Sequence, residues 1–248
     1  EPKIVLIESP SNPVMRIADI KAIAAKAKAV GAITVADNTF LSPILQQPLN
    51  LGADIVYHST TKFLNGHSDI VGGCVVTNNE DILTDLEFWN NSLGLIGAPF
   101  DSYMTLRGMR TLELRVHRAQ ENAEKIAEML AEHDAVDKVY YPGLKDHPNH
   151  EIAAAQQEGF GAMLSFTIKG NFENVKTFAK NVEIFRLAQS LGGTESLMNH
   201  PATMTHVSMG AEAREKAGVS DQLLRLSVGV EHIDDLLDDL RQGLEAIG

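Results

Sequence analysis

Lys62 is the residue with the clearest chemical potential in the sequence. It stands in Tyr57-His58-Ser59-Thr60-Thr61-Lys62-Phe63-Leu64-Asn65-Gly66-His67-Ser68-Asp69, after the strand-like run Ala53-Asp54-Ile55-Val56-Tyr57. Lysine is ordinarily solvated, and burying its charge is costly unless it is paired or neutralised. At the end of a buried strand its amine loses its proton more readily and becomes a nucleophile able to form Schiff bases. Ser59 and Thr61 place two hydroxyls beside it, suited to a phosphate. An amine with phosphate-binding hydroxyls points to pyridoxal 5'-phosphate (PLP). The alternative is a strand-end lysine directed to water.

A second run, Ile33-Thr34-Val35-Ala36-Asp37-Asn38-Thr39-Phe40, ends in an acid. PLP draws electrons only while its ring nitrogen stays protonated, and an aspartate partner achieves that. Asp37 alone also fits a turn or helix cap; Asp37 and Lys62, each after its own strand, form a more specific pair. An amino-acid substrate further needs its carboxylate held, and arginine offers a planar fork that matches it. Arg225, between Leu224 and Leu226 in a predicted strand, is oddly placed for a solvated cation.

These groups need a frame. Residues 4–8, 33–37, 53–58 and 72–77 are Val/Ile-rich and lack a period of two, as in strands buried on both faces. A helix is predicted over Arg16 to Val30, with Gly31 closing it. The rhythm is βαβ and implies a mainly parallel sheet. Ligands bind such sheets at the carboxyl ends of the strands, where Asn12, Asp37 and Lys62 fall. After a helical stretch around Phe88-Trp89 and a turn-rich segment, one long helix is predicted from Asp101 or Ser102 to about His133. Its Arg107 and Arg110 read as solvated or structural cations. A second α/β unit follows. It has strands at 136–141, at 161–168 (half-exposed by its alternation) and at 223–230. Its acidic terminal helix, 231–247, has a charge run that reads as a solvated face. The expected division is residues 1–133 and 134–248.

The formal net charge of −12 over 248 residues argues against nucleic acid or an anionic membrane as partner. Cys74 is the one cysteine, which excludes an intrachain disulfide and a thiolate metal cluster; it reads as a small core residue. No apolar run reaches about 18 residues. His147 and His150 share a loop without a third ligand, so helix capping is expected rather than a metal. His200 and His206 read as structural.

The segments Glu8-Ser9-Pro10-Ser11-Asn12-Pro13, Ala36-Asp37-Asn38-Thr39-Phe40, Ser59-Thr60-Thr61-Lys62 with Asn65-Gly66-His67-Ser68-Asp69, and Ser190-Leu191-Gly192-Gly193 resemble the Cys/Met-metabolism family of PLP enzymes. The resemblance covers essentially the whole chain. It implies an α/β fold of type I, like aspartate aminotransferase: a large PLP-binding domain with a mainly parallel sheet and a smaller C-terminal α/β domain. It assigns Lys62 to PLP attachment and catalysis, Asp37 to the ring nitrogen, and Ser59 and Thr61 to the cofactor. Asn12 would contact both the cofactor's phenolic oxygen and the substrate carboxylate, Arg225 would clamp that carboxylate, and Ser190 would lie near the lysine.

The chain starts at Glu1-Pro2 and enters a strand at once, so the family's N-terminal portion is expected to lie outside it. That portion would carry a glycine-containing phosphate loop, a tyrosine that stacks on the cofactor, and residues lent to a neighbouring subunit. Phe88 to Gly94, Ala98 to Tyr103 and Glu195 to His206 are most similar to the bacterial gamma-synthase branch. The expected reaction joins an O-acyl-L-homoserine, with O-succinyl preferred, to L-cysteine. Gln189 stands where many members carry Glu, which leaves a gamma-lyase or a sulfhydrylase as alternatives. A cofactor-free scaffold is the non-enzyme alternative. The resemblance also implies a cytoplasmic homotetramer, a dimer of dimers with shared sites, acting on small amino acids.

Overall fold

The computed structural model describes residues 2–248. Four strands, β1 (Ile4–Glu8), β2 (Ile33–Asp37), β3 (Ile55–Ser59) and β4 (Gly73–Val76), form a sheet in that order. The first three run parallel, and β4 turns back antiparallel to β3. Helix α1 (Ile20–Ala29) begins later than the sequence suggests, because the Asp19 carboxylate accepts the Ala22 N–H at 2.8 Å and caps it there. It ends before Gly31, which takes a φ of 71°. With the short α2 (Ser42–Leu45) and the 3-10 turn Pro48–Leu51, α1 covers one face of the sheet.

Burial on both faces, expected for these strands, does not hold. Ile7, Ala36, Val56 and His58 are buried, whereas Ile4, Leu6, Ile33 and Val75 on the opposite face are exposed. Among the described residues the helices pack on one side of this sheet. Cys74, the register partner of His58 on the covered face, is half-buried against the Phe63 and Leu64 cluster rather than a fully buried core residue.

The single long helix is also corrected. After α3 (Glu80–Leu93) come α4 (Pro99–Met109) and α5 (Leu112–Glu132), separated at Arg110-Thr111. The break follows from packing. Gly108 seats directly on the backbone of Asn65, where any side chain would collide. Arg115 then reaches back, with Nε donating to Thr111 Oγ1 at 3.2 Å and Nη2 to the Gly108 carbonyl at 2.9 Å.

The second sheet has the order β5 (Val136–Tyr140), β6 (Met163–Ile168), β9 (Leu223–Ser227), β8 (Leu197–Asn199), β7 (Arg186–Leu187). It is antiparallel apart from the β7–β8 pair. Helices α6 (His150–Gln156), α7 (Phe172–Asn181), α8 (Ala211–Ala217) and α9 (Ile233–Glu245) complete this half. Strand β6 is not half-exposed: all six residues are buried. Its polar positions are tolerated because they have partners. Ser165 donates to the Pro13 carbonyl at 2.6 Å and Thr167 to the Asp137 carboxylate at 3.3 Å. The core joins Leu164 and Phe166 of β6, Leu224 and Leu226 of β9, Phe178 of α7, and Leu236 and Leu240 of α9.

The charge run of α9 is a solvated face except for Asp239. That carboxylate is buried and accepts the N–H groups of Glu183, Ile184 and Phe185 at 2.6, 3.0 and 3.1 Å. Helix α5 links the two sheets. Its first half packs with Phe63 and Leu64, its second half with the β6–β9 core. Among the described residues no helix is long and apolar enough to cross a membrane, and no cluster of His, Cys, Asp and Glu suits a metal ion.

Candidate active site

The register of the parallel strands sets the site's first wall. Glu8 pairs with Asp37, and Asp37 with Tyr57, so the carboxyl ends of β1, β2 and β3 present the three side chains in one row. Ser59, two residues past Tyr57, lies on the same face. Asp37 Oδ1 accepts the Thr39 N–H at 2.9 Å. The chain then leaves β3 through a tight helical turn, Thr60–Leu64, in which Lys62 breaks the helical backbone pattern and is half-buried.

The second wall comes from the other sheet. Lys62 Nζ donates to Ser190 Oγ at 3.3 Å. The carbonyl of Ser190 accepts Arg225 Nη2 at 3.0 Å, and Asn12 Oδ1 accepts Arg225 Nη1 at 3.0 Å. Arg225 is 2% exposed, its Nε has no partner, and no carboxylate pairs with it among the described residues. The loop carrying Ser190 is locked to the lysine. Gly192 has φ 75° and lies against the backbone of Lys62 and Phe63, where a Cβ would sit 2.8 Å from Phe63 N, and its own N–H donates to Ser227 Oγ at 2.8 Å. From the other side Arg115 Nη1 donates to the Phe63 carbonyl at 2.9 Å.

The electrostatics suit an amine that works without its proton. Burial, and then the positive charge of Arg225, push the proton affinity of Lys62 down. Burial also lowers Arg225, to about 10, which leaves it fully cationic at neutral pH. A desolvated cation with no anion beside it is a strong site for a carboxylate.

The structure therefore joins four of the sequence-derived residues, Lys62, Ser190, Arg225 and Asn12, by direct contact, and aligns Asp37 and Ser59 on the adjoining face. Two others stand apart. The Thr61 hydroxyl accepts the Gly72 N–H at 3.0 Å and donates to the Gly72 carbonyl at 3.3 Å, which uses its one proton. Gln189 is exposed at the edge. Sequence reasoning misses the neighbouring residues Glu8, Tyr57 and Arg115. An arginine within the apolar stripe of α5 is the one local sign that Arg115 is buried.

A family model for Cys/Met metabolism PLP-dependent enzymes matches residues 1–245. The chain is 52% identical over 246 residues to cystathionine gamma-synthase of Escherichia coli (strain K12), covering 99% of this chain and 64% of that protein. It is also 52% identical over 246 residues to cystathionine beta-lyase of Lactococcus lactis subsp. cremoris (strain MG1363), with the same 99% and 64% coverage. The crystal structure of cystathionine gamma synthase from Xanthomonas oryzae pv. oryzae, in complex with aminoacrylate and cysteine, matches with a TM-score of 0.97 at 57% identity, over 99% of this chain and 64% of that one. The chain thus spans just under two thirds of the length of these relatives. Its α/β architecture is that of fold type I PLP enzymes. The chain belongs to the Cys/Met metabolism PLP-dependent enzyme family.

Proposed function

We propose that this chain forms the catalytic part of an enzyme that joins an O-acyl-L-homoserine, with O-succinyl preferred, to L-cysteine by gamma-replacement, giving L-cystathionine. One observation carries the reading. Ser190 bridges the two working groups, its hydroxyl on Lys62 and its carbonyl on a buried Arg225 that has no anionic partner among the described residues. A carboxylate bound at Arg225 is thereby held one residue's width from a base.

The residues present fit PLP. Glu8 and Asp37 face the site in register, and no cation pairs with either among the described residues, which suits a protonated ring nitrogen. Lys62 would hold the cofactor through its amine, Asp37 its ring nitrogen, Ser59 its phosphate and Asn12 its phenolic oxygen; Thr61 would join only by releasing Gly72. Bound there, PLP supplies an electron sink for charge developing on the substrate. Arg225 binds and orients the substrate carboxylate through its fork. The Lys62 amine would move protons between the α- and β-carbons as general base and then acid. Loss of the β proton lets the γ-acyloxy group leave as its carboxylate. A proton returns to the β-carbon once the cysteine sulfur, giving up its own proton, has bonded to the γ-carbon. Ser190 holds that amine in line between the two positions. Gln189, at the rim, meets the incoming cysteine without adding charge.

The reading carries with it two domains, 1–133 and 134–248. It also carries a cytoplasmic homotetramer, a dimer of dimers with shared sites. These rest on kinship, with the exposed Phe88, Trp89, Leu95 and Ile96 supporting association between chains.

The test uses the full-length protein with PLP and O-succinyl-L-homoserine, with and without L-cysteine. Cystathionine formation is expected. 2-Oxobutanoate in its place would move the assignment to gamma-elimination. Homocysteine formed from sulfide would mark a sulfhydrylase. Pyruvate released from cystathionine would mark beta-elimination, the reaction for which the Lactococcus relative is named. A preparation that stays colourless with added PLP and turns over nothing would leave only a scaffold.

A further inference from the structure

Two arginines are buried among the described residues, Arg225 in the candidate site and Arg115 behind it. Arg115 is 9% exposed and lies on the apolar stripe of α5, beside Leu112, Val116 and Ala119. Burying a guanidinium is costly unless its donors are satisfied. No carboxylate pairs with Arg115 among the described residues. Its partners are neutral oxygens on two segments. Nε donates to Thr111 Oγ1 at 3.2 Å and Nη2 to the Gly108 carbonyl at 2.9 Å, both at the α4–α5 break. Nη1 donates to the Phe63 carbonyl at 2.9 Å and Nη2 to the Leu64 carbonyl at 3.4 Å, the two residues that follow Lys62.

The backbone closes on this guanidinium from both segments. Gly66 has φ 74°, and a Cβ there would run into Arg115 Nη1. Gly108 rests on the backbone of Asn65. On the far side of the turn, Gly192 packs against Lys62 and Phe63. The Lys62 turn is thus held between the α4–α5 break and the Ser190 loop. It needs such support, because Lys62, at φ −96° and ψ −134°, leaves the helical pattern within the turn. Carbonyls at the end of a helical turn lack N–H partners of their own. A planar fork can serve carbonyls of two segments at once, which an ammonium or an apolar side chain cannot.

We propose that Arg115 is a positioning residue for Lys62: its guanidinium ties the Lys62 turn to the α4–α5 break and so holds the amine at Ser190. The proposal rests on the reading of Lys62 as the residue that holds PLP. Misplacing a reacting group by about 1 Å can cost roughly 100-fold in rate, so a slackened turn is felt at the amine.

The experiment uses the full-length protein, stripped of cofactor and then given PLP, in wild type, Arg115→Lys, Arg115→Met and Leu130→Ala. Borohydride added at timed intervals fixes PLP to the amine that holds it, and peptide mapping reports the share on Lys62. Leu130→Ala opens a cavity in the far half of α5 and controls for lost stability alone. In Arg115→Met the rate of fixation at Lys62 is expected to fall roughly tenfold and kcat roughly 10–100-fold. KM for the amino-acid substrate should stay near wild type, because Arg225 and Asn12 are untouched. Arg115→Lys keeps the charge without the fork and should show most of the same loss; it carries the test if Arg115→Met does not fold. Leu130→Ala should melt earlier with both rates unchanged per folded molecule. Wild-type fixation and kcat in folded Arg115→Lys would overturn the proposal, as would an equal loss in Leu130→Ala. Failure of both Arg115 variants to fold would overturn it as well, by assigning Arg115 to folding alone. PLP fixed in the wild type at a lysine other than Lys62 would instead remove the Lys62 reading, before any variant is compared.

Discussion

In the β5–β9 sheet the three inner strands, β6, β9 and β8, are buried along their whole length, whereas in the β1–β4 sheet burial alternates and one face stays open. Each sheet supplies one half of the candidate site. The buried sheet can fix a guanidinium at 2% exposure, because core packing on both faces leaves Arg225 little freedom. Its charge acts in a dry setting, where Coulomb interactions are strong. The half-open sheet leaves its acids, its hydroxyl and Lys62 reachable by a ligand. Rigidity and access thus come from different sheets, and the Ser190 loop joins them.

That contrast can be pressed experimentally. Lys62→Ala sits on the accessible side and is expected to lower turnover by roughly 10^2–10^4-fold. Its thermal midpoint should stay close to wild type, because a half-buried side chain is removed without a core cavity; a collapsed melt would mean that Lys62 is structural. Phe166→Ala, in the closed sheet, should do the reverse. It empties a fully buried site and costs about 3–5 kcal/mol in chemical denaturation, with turnover per folded molecule unchanged.

Arg225 belongs to the closed sheet but serves the site, so its variants test the joint between the two. Arg225→Lys keeps the charge and loses the fork, and kcat/KM for the amino-acid substrate should fall roughly 10–100-fold. Arg225→Gln removes the positive charge that helps to hold the Lys62 proton affinity down. The pH midpoint for chemical labelling of the Lys62 amine in the apoprotein should therefore rise. A fixed midpoint would separate the two groups electrostatically. The smallest effect is expected for Leu6→Thr on the open face, within about 0.5 kcal/mol as for other exposed positions. A much larger loss in the full-length protein would show that this face is covered there.

Much of the first sheet was legible from local pattern. The strands ending at Glu8, Asp37 and Ser59, and the cap at Gly31, are marked by β-branched runs and turn residues. Lys62 and Asp37 stood out because each follows such a run. The open face was not legible: Ile4, Leu6 and Ile33 have the residue types of a covered face, and types alone do not say which side the helices take. The α4–α5 break was hidden for a similar reason. The periodicity of residues 101–133 continues across it, and the interruption is caused by Asn65, far away in sequence. Ser165, Thr167 and Asp239 read as solvent-facing because polarity was taken for exposure, while each is buried against partners supplied by other segments.

By itself the sequence determined the alternation of strands and helices, the family's motifs and the pairing of a strand-end lysine with a strand-end acid, since these depend on residues close together in the chain. Only the tertiary structure decided that Arg225 would meet Asn12 from 213 positions away and that Ser190 would reach Lys62 across 128. It also decided that Tyr57 and Glu8 would flank Asp37. Contacts of that kind depend on sheet register and core packing, which emerge only when distant segments compete for the same space.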